Sequence, residues 1–311
     1  MSVVRQLAGT VLGLSLIAAI AVPTDLTLYA AVAVGINWFI GLVHAIPFKT
    51  ERFFDLTGTL TFFTVAVVVG LHTTSLHPTG IAFYRSVTTS LMVVIWTVRL
   101  GSFLYSRIHG DGGIDSRFVE IRHLPLRFFS TWTIQAAWVF ISISPILLLQ
   151  TQSSQANVLT TTDVVGTALY LVGLIVEVVA DAQKTVFRAN VANKDSFIST
   201  GLWAYSRHPN YCGEITLWVG IAIVCVPQLP TVALQLTGCI SPLFVFLLLN
   251  FVSGIPLLEK KANAKWGDDA TYQAYKARTS ELMLWFPKTN ASVDPVKVKS
   301  TDYGTTPIHT K

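Results

Sequence analysis

Long apolar stretches separated by short polar clusters fill the first 256 residues of the chain, over about 3–22, 27–47, 57–77, 84–104, 129–149, 163–186, 211–230 and 233–256. Each is close to the roughly 20 residues that a helix needs to cross a hydrocarbon core. The pattern predicts an all-α protein, a polytopic bundle of about eight transmembrane helices. The first stretch carries Arg5 but no small-residue cleavage pattern before Pro23, and apolar sequence resumes at once, so a helix is expected there, not a removed signal peptide.

Composition agrees. With 52% hydrophobic residues, 13% charged residues and a mean hydropathy of +0.56, the chain is too apolar for an ordinary soluble domain. Lys and Arg are absent between Arg5 and Lys49, between Arg127 and Lys184, and between Arg207 and Lys260. Each gap holds two helices and one loop. With both termini cytoplasmic, Lys49, Arg52, Arg107, Arg117, Arg122, Arg127, Arg188, Lys194, Arg207 and the basic tail share one side, as the positive-inside rule requires. Arg85 is the poor fit, at the far end of the fourth span.

The net charge of +5 therefore reflects topology and anionic headgroups, and no basic stripe with interleaved aromatics indicates a nucleic-acid partner. Cys212, Cys225 and Cys239 lie in or beside apolar spans without metal-ligand spacing and read as packing thiols. His44 and Asn37, seven residues apart, share a face and can line a pocket or bond between helices. His72 and His77 fall at the opposite face, and no metal site is indicated. One membrane domain over 1–287 is expected, with its cofactor-pocket half at about 163–287, followed by a disordered polar tail over 288–311.

Three polar segments face the basic side: Ser102–Arg127, with Gly110, Gly112 and Gly113; Arg188–Asn210; and the amphipathic stretch 257–283. Together they can roof a site. In the sixth span Glu177, Asp181, Lys184 and Arg188 are spaced by four, three and four residues, which sets them on one helical face. Charges inside a span are expensive enough to suggest function. The alternative is a neutralised ladder in which Asp181 pairs with Lys184 and the basic residues reach the interface.

The densest motif is GLWAYSRHPNYCGEI, Gly201–Ile215, which gathers Trp203, Tyr205, Arg207, His208, Asn210, Tyr211 and Glu214 where a helix begins. Pro209 suits a first helical position, free N–H groups follow it, and Arg207 adds a fork for phosphate or carboxylate. Interfacial aromatic anchoring is the plainer reading, but it does not require Arg, His, Asn and Glu together.

This motif, with EVVADAQKTVFR before it, GIPLLEKKA and YQAYKARTSELM after it, and FFDLTGTLTFF, RLGSFLYSRI and GIDSRF upstream, resembles the steroid 5-alpha-reductase-like family of membrane proteins, most of them of unknown function. The resemblance covers most of residues 50–287. More distantly the RHPNY segment is similar to that of sterol reductases and, in shortened form, isoprenylcysteine carboxyl methyltransferases. The resemblance implies an NAD(P)H-dependent reductase of a double bond in a lipophilic substrate (steroid, sterol-like, polyprenoid or acyl lipid) drawn from membrane lipid.

It further implies that NADPH is held by Asp181, Lys184, Arg188, Trp203, Arg207, His208, Asn210, Tyr211 and Glu214, with Glu259, Tyr272 and Tyr275 as further candidates. For an alkene conjugated to a carbonyl, hydride addition pushes charge onto oxygen, which needs an acid or hydrogen-bond donor; Tyr105, Asp55 and Glu51 are the candidates. Asp55 reads equally as a helix N-cap and Tyr105 as an interface anchor. Two other functions stay open: S-adenosylmethionine-dependent methylation of a lipid or prenylated substrate, and non-enzymatic lipid binding or transport. Unlike classical steroid reductases, GIPLLEKK carries acidic Glu259 and no histidine cluster. An endoplasmic reticulum membrane is the expected location if the source is eukaryotic.

Overall fold

The structure, a computed structural model, describes residues 3–76, 79–110, 115, 117–152 and 155–288. Gly112, Gly113, His77, the Arg107 side chain and the tail beyond Lys288 lie outside the described residues. In order, the elements are α1 (Val3–Ala21); α2 (Thr27–Ile40), continued by a π turn (Gly41–Ala45) and α3 (Ile46–Phe48); α4 (Phe54–Leu76); α5 (Gly80–Gly110); α6 (Pro125–Gln150); α7 (Thr161–Ala189); α8 (Pro209–Cys225); α9 (Val232–Leu247), followed by a π turn (Leu248–Val252); α10 (Ile255–Trp266); and α11 (Ala270–Arg278). Eight segments are long and apolar enough to cross a membrane. The protein is an all-helical, multi-pass integral membrane protein.

Helix starts follow local chemistry. Pro125 and Pro209 open α6 and α8, where a missing N–H costs nothing. Thr160 and Asp163 close a capping box on α7, and Thr231 caps α9. The bundle is built around α6, which is buried along nearly its whole length. Large apolar side chains of the surrounding helices, such as Leu71, Val172 and Ile175, stay exposed on the outside, which suits hydrocarbon as solvent.

Two features position the site. First, α7 and α8 touch backbone to backbone. A Cβ on Gly173 would come within 2.6 Å of the Gly213 carbonyl oxygen, and one on Gly166 within 2.6 Å of that of Gly220, so small residues are required at this crossing. Glu177 and Asp181 follow Gly173 by one and two turns, and Asn210 and Glu214 flank Gly213, so the contact brings these four together. Second, Phe62 lies edge-on to Trp96 and Trp138 at centroid distances of 5.2 and 5.0 Å, and Trp218 lies 5.1 Å from Trp96. This aromatic knot helps to floor the cavity below.

Arg85, the misfit of the charge pattern, is buried at the opposite end. It donates to both oxygens of Asp163 at 2.7 and 2.8 Å and to the carbonyls of Ala156 and Val158 at 2.8 and 2.9 Å. Arg85 is therefore a buried, paired cation and not a loop charge. Arg5, Arg117, Arg127, Lys184, Arg188 and Arg207 line adjoining cavities at the other end.

Candidate functional site

At that basic end, two cavities meet at Lys184, Arg188 and Leu258. The outer one, about 270 Å³, is walled by the end of α7, the 196–208 segment, α10 and α11. Five cations line it, Lys184, Arg188, Arg207, Lys261 and Lys265, against the single carboxylate of Glu259. Arg207 and Lys265 are also paired with Glu281 and Asp195, and the net positive lining favours an anionic occupant. Its aromatic wall is a stack in which Phe197 lies 5.1 Å from Tyr272 and 5.4 Å from Tyr275; Lys184 sits 4.7 Å over Trp203.

Glu259 is the hub of this wall. It accepts from Arg207 at 2.8 Å and His208 at 3.1 Å, and pairs with Lys276 at 3.1 Å. Arg207 also reaches Glu281 at 3.0 Å, while its backbone N–H donates to the Ser280 carbonyl at 2.8 Å. These bonds tie the residues after α11 across the start of α8. Burial holds the His208 imidazole below its usual 6.5 despite the Glu259 carboxylate. Because that carboxylate only accepts, Nε2 carries the proton of the neutral ring; Nδ1 is left an acceptor without a partner among the described residues. Burial raises the Tyr272 and Tyr275 hydroxyls above their usual range, so both are neutral donors; that of Tyr275 bonds the Trp203 carbonyl at 2.7 Å.

The inner cavity, about 350 Å³, lies among α4, α5, α6, α7, α8 and the turn after α9. Four carboxyls line it, Asp55, Glu177, Asp181 and Glu214, and the last three form a cluster on α7 and α8. Arg99 of α5 bonds Glu177 and Asp181, each at 2.5 Å. Glu177 also accepts from the Trp96 indole at 3.2 Å, and Asp181 from Asn210 at 3.2 Å. Glu214, 9% exposed, faces the same space and makes no hydrogen bond or ion pair to a described residue. The Asn210 side-chain oxygen is likewise buried without a partner. Arg188 has no hydrogen bond or ion pair among the described residues and lines both cavities.

A family model described as "Protein of unknown function (DUF1295)" matches residues 13–279. The chain belongs to the DUF1295 family. No curated protein matches it, and no solved structure does. All residues lining the two cavities fall inside the DUF1295 match.

The twelve residues expected at a cofactor are gathered here. Trp203, Arg207, His208, Glu259, Tyr272 and Tyr275 line the outer cavity; Asp181, Asn210, Tyr211 and Glu214 line the inner one; Lys184 and Arg188 line both. Tyr211 stacks on His208 at 5.8 Å. The three candidate acids lie apart from one another. Asp55 lines the inner cavity but is held by Arg117 at 3.1 Å, in the first turn of α4. Glu51 is buried outside both cavities, accepting from the Asp115 backbone at 3.0 Å with Arg122 at 3.6 Å. Tyr105 is partly exposed late on α5 and lines neither cavity. Asp181 bonds Arg99 on another helix, with the Lys184 charge of its own helix nearby. Arg99 carried one usable signal in the sequence: a guanidinium inside an apolar span, toward its end.

Proposed function

We propose that this DUF1295 protein is an NADPH-dependent reductase of a carbon–carbon double bond in a lipophilic substrate, working from the cytoplasmic end of the bundle. The observation that carries the reading is the pair of joined cavities: a cation-rich aromatic one open to the basic end, and an apolar one with a buried acid cluster at membrane depth. The resemblance to the steroid 5-alpha-reductase-like family supports it independently.

The residues present suit a dinucleotide. Arg188 and the cations around it match phosphates, the aromatic wall matches an adenine face, and the free Asn210 oxygen can accept from a carboxamide. Bound here, NADPH would supply a hydride. The chain's own residues would handle the proton. Hydride arrival at the β-carbon of a conjugated carbonyl would make an enolate, and Glu214, which lines the inner cavity, would protonate its α-carbon. Glu177 and Asp181 are tied to Arg99, whereas Glu214 accepts no hydrogen bond from a described residue, so Glu214 would be the carboxyl with a proton to give. It is left as carboxylate and is reprotonated from water reaching the cluster past Lys184. The apolar lining excludes bulk water from the reacting carbons.

Calorimetry on purified protein with NADPH, NADH and S-adenosylmethionine tests the reading. NADPH is expected to bind, and Arg188→Gln, which breaks no hydrogen bond or ion pair to a described residue, is expected to weaken it about tenfold. Glu214→Gln should keep affinity and lose turnover of enone lipids. S-adenosylmethionine binding in place of NADPH would move the assignment to a methyltransferase, and failure of all three to bind folded protein would leave a lipid-binding role.

A further inference from the structure

A third cavity, about 500 Å³, opens on the flank of the bundle between α1, α6 and the turn after α9. Phe54, Arg117, Gln135, Trp138, Leu248 and Ser253 line both it and the inner cavity, so this lateral passage ends at a wall shared with the cavity of the acid cluster. The rim and the interior differ in chemistry. Arg5 and Arg127 are exposed at the rim, neither has a hydrogen bond or ion pair among the described residues, and no carboxylate lines this cavity. Inward the wall is Phe54, Ile134, Trp138 and Leu248. Arg127 and Trp138 lie on one helix, separated along its axis by roughly 16 Å at 1.5 Å per residue.

We infer that this passage binds a single-chain amphiphile with an anionic carboxylate or phosphate head at Arg5 and Arg127 and an extended apolar chain along Trp138 and Leu248. Charge complementarity selects the head, because Arg5 and Arg127, without an ion pair among the described residues, face a lining with no carboxylate among those residues. The span from the rim to the shared wall selects an elongated body over a compact one. That this amphiphile is the substrate rests on the reductase reading; that it binds does not.

The test uses full-length protein in phosphatidylcholine nanodiscs without nucleotide. The probe is a palmitate analogue with a mid-chain diazirine, compared with its methyl ester. Saturable labelling of the peptides holding Trp138 or Leu248 is expected for the acid, at least about tenfold above the ester. Arg5→Gln/Arg127→Gln should lower the acid to the level of the ester. Ile134→Trp, which fills the passage from an exposed position, should remove both. Equal labelling by acid and ester, labelling confined to outward faces such as Leu171 and Val172, or displacement by inorganic phosphate would overturn the inference. NADPH affinity, measured separately, tells its failure from failure of the reductase reading.

Discussion

Replacing Arg99 by methionine removes the one guanidinium that bridges Glu177 and Asp181, whose side chains are 3% and 5% exposed. Methionine keeps much of the length and apolar stem, so packing changes little and the charge effect dominates. Breaking a buried pair by deleting one partner costs about 3–5 kcal/mol, because the remaining charge is stranded away from water. Here two carboxylates are stranded at once. The Trp96 indole, which donates to Glu177, offers a fluorescence signal for reversible unfolding in mixed micelles. Arg99→Met is expected to lose about 3–5 kcal/mol, while adding Glu177→Gln and Asp181→Asn to it should bring stability back to within about 1–2 kcal/mol of the parent, since only neutral hydrogen bonds are then missing. The triple variant would thus be more stable than Arg99→Met alone, a non-additivity expected only if the three groups act as a unit. An Arg99→Met variant within about 1 kcal/mol of the parent would refute the bridging role.

Two further perturbations probe other parts of the site. Gly173→Ala should cost about 1–3 kcal/mol in the same unfolding assay, because its Cβ would meet rigid backbone 2.5 Å away at the Leu217 nitrogen; Gly35→Ala, with nothing within 4 Å, should be neutral or stabilising by up to about 1 kcal/mol, and equal effects would disprove the close crossing. For His208 the sign follows from burial. The folded ring titrates below 6.5, so below that pH the unfolded chain binds more protons and stability falls, by at most about 1.4 kcal/mol per pH unit for one group. His208→Gln should flatten the acid side of the pH–stability profile, and an unchanged slope between about pH 6.5 and 5 would show that the ring is not held neutral.

The helix count was legible because a bilayer leaves a spanning backbone few options: every peptide group must be satisfied internally, and hydropathy reads that constraint directly. The face shared by Glu177, Asp181, Lys184 and Arg188 was legible for a similar reason, since helical period alone fixes it, and all four line the inner cavity. What the period cannot fix is the partner on another helix. Arg99 lies 78 residues from Glu177 in sequence, and nothing local ties α5 to α7. One unread signal bears on pairing: Gly166 and Gly173 on α7, and Gly213 and Gly220 on α8, share the same seven-residue interval, and their matched spacing marks two surfaces able to meet. Glu259 illustrates the complementary difficulty. On its own helix it looks like one charge of a solvated face, and only the return of α11 and the 279–286 segment across Arg207 makes it the hub of a pocket wall.

The acid cluster is hard to explain by stability alone. Buried ion pairs roughly break even against well-packed apolar side chains, and at membrane depth the apolar alternative is the easier one to accommodate. Three carboxyls share one guanidinium, and Glu214 makes no hydrogen bond or ion pair to a described residue, an arrangement that a purely structural network would have closed. The triple variant gives this argument a measurable form. If Arg99→Met/Glu177→Gln/Asp181→Asn folds nearly as well as the parent yet neither binds nucleotide nor turns over substrate, the charges are retained for what the cavity does to its occupant and not for holding the helices together. If instead its stability stays as low as that of Arg99→Met, the cluster is part of the packing of α5 on α7, and the case for Glu214 as a proton donor loses its setting.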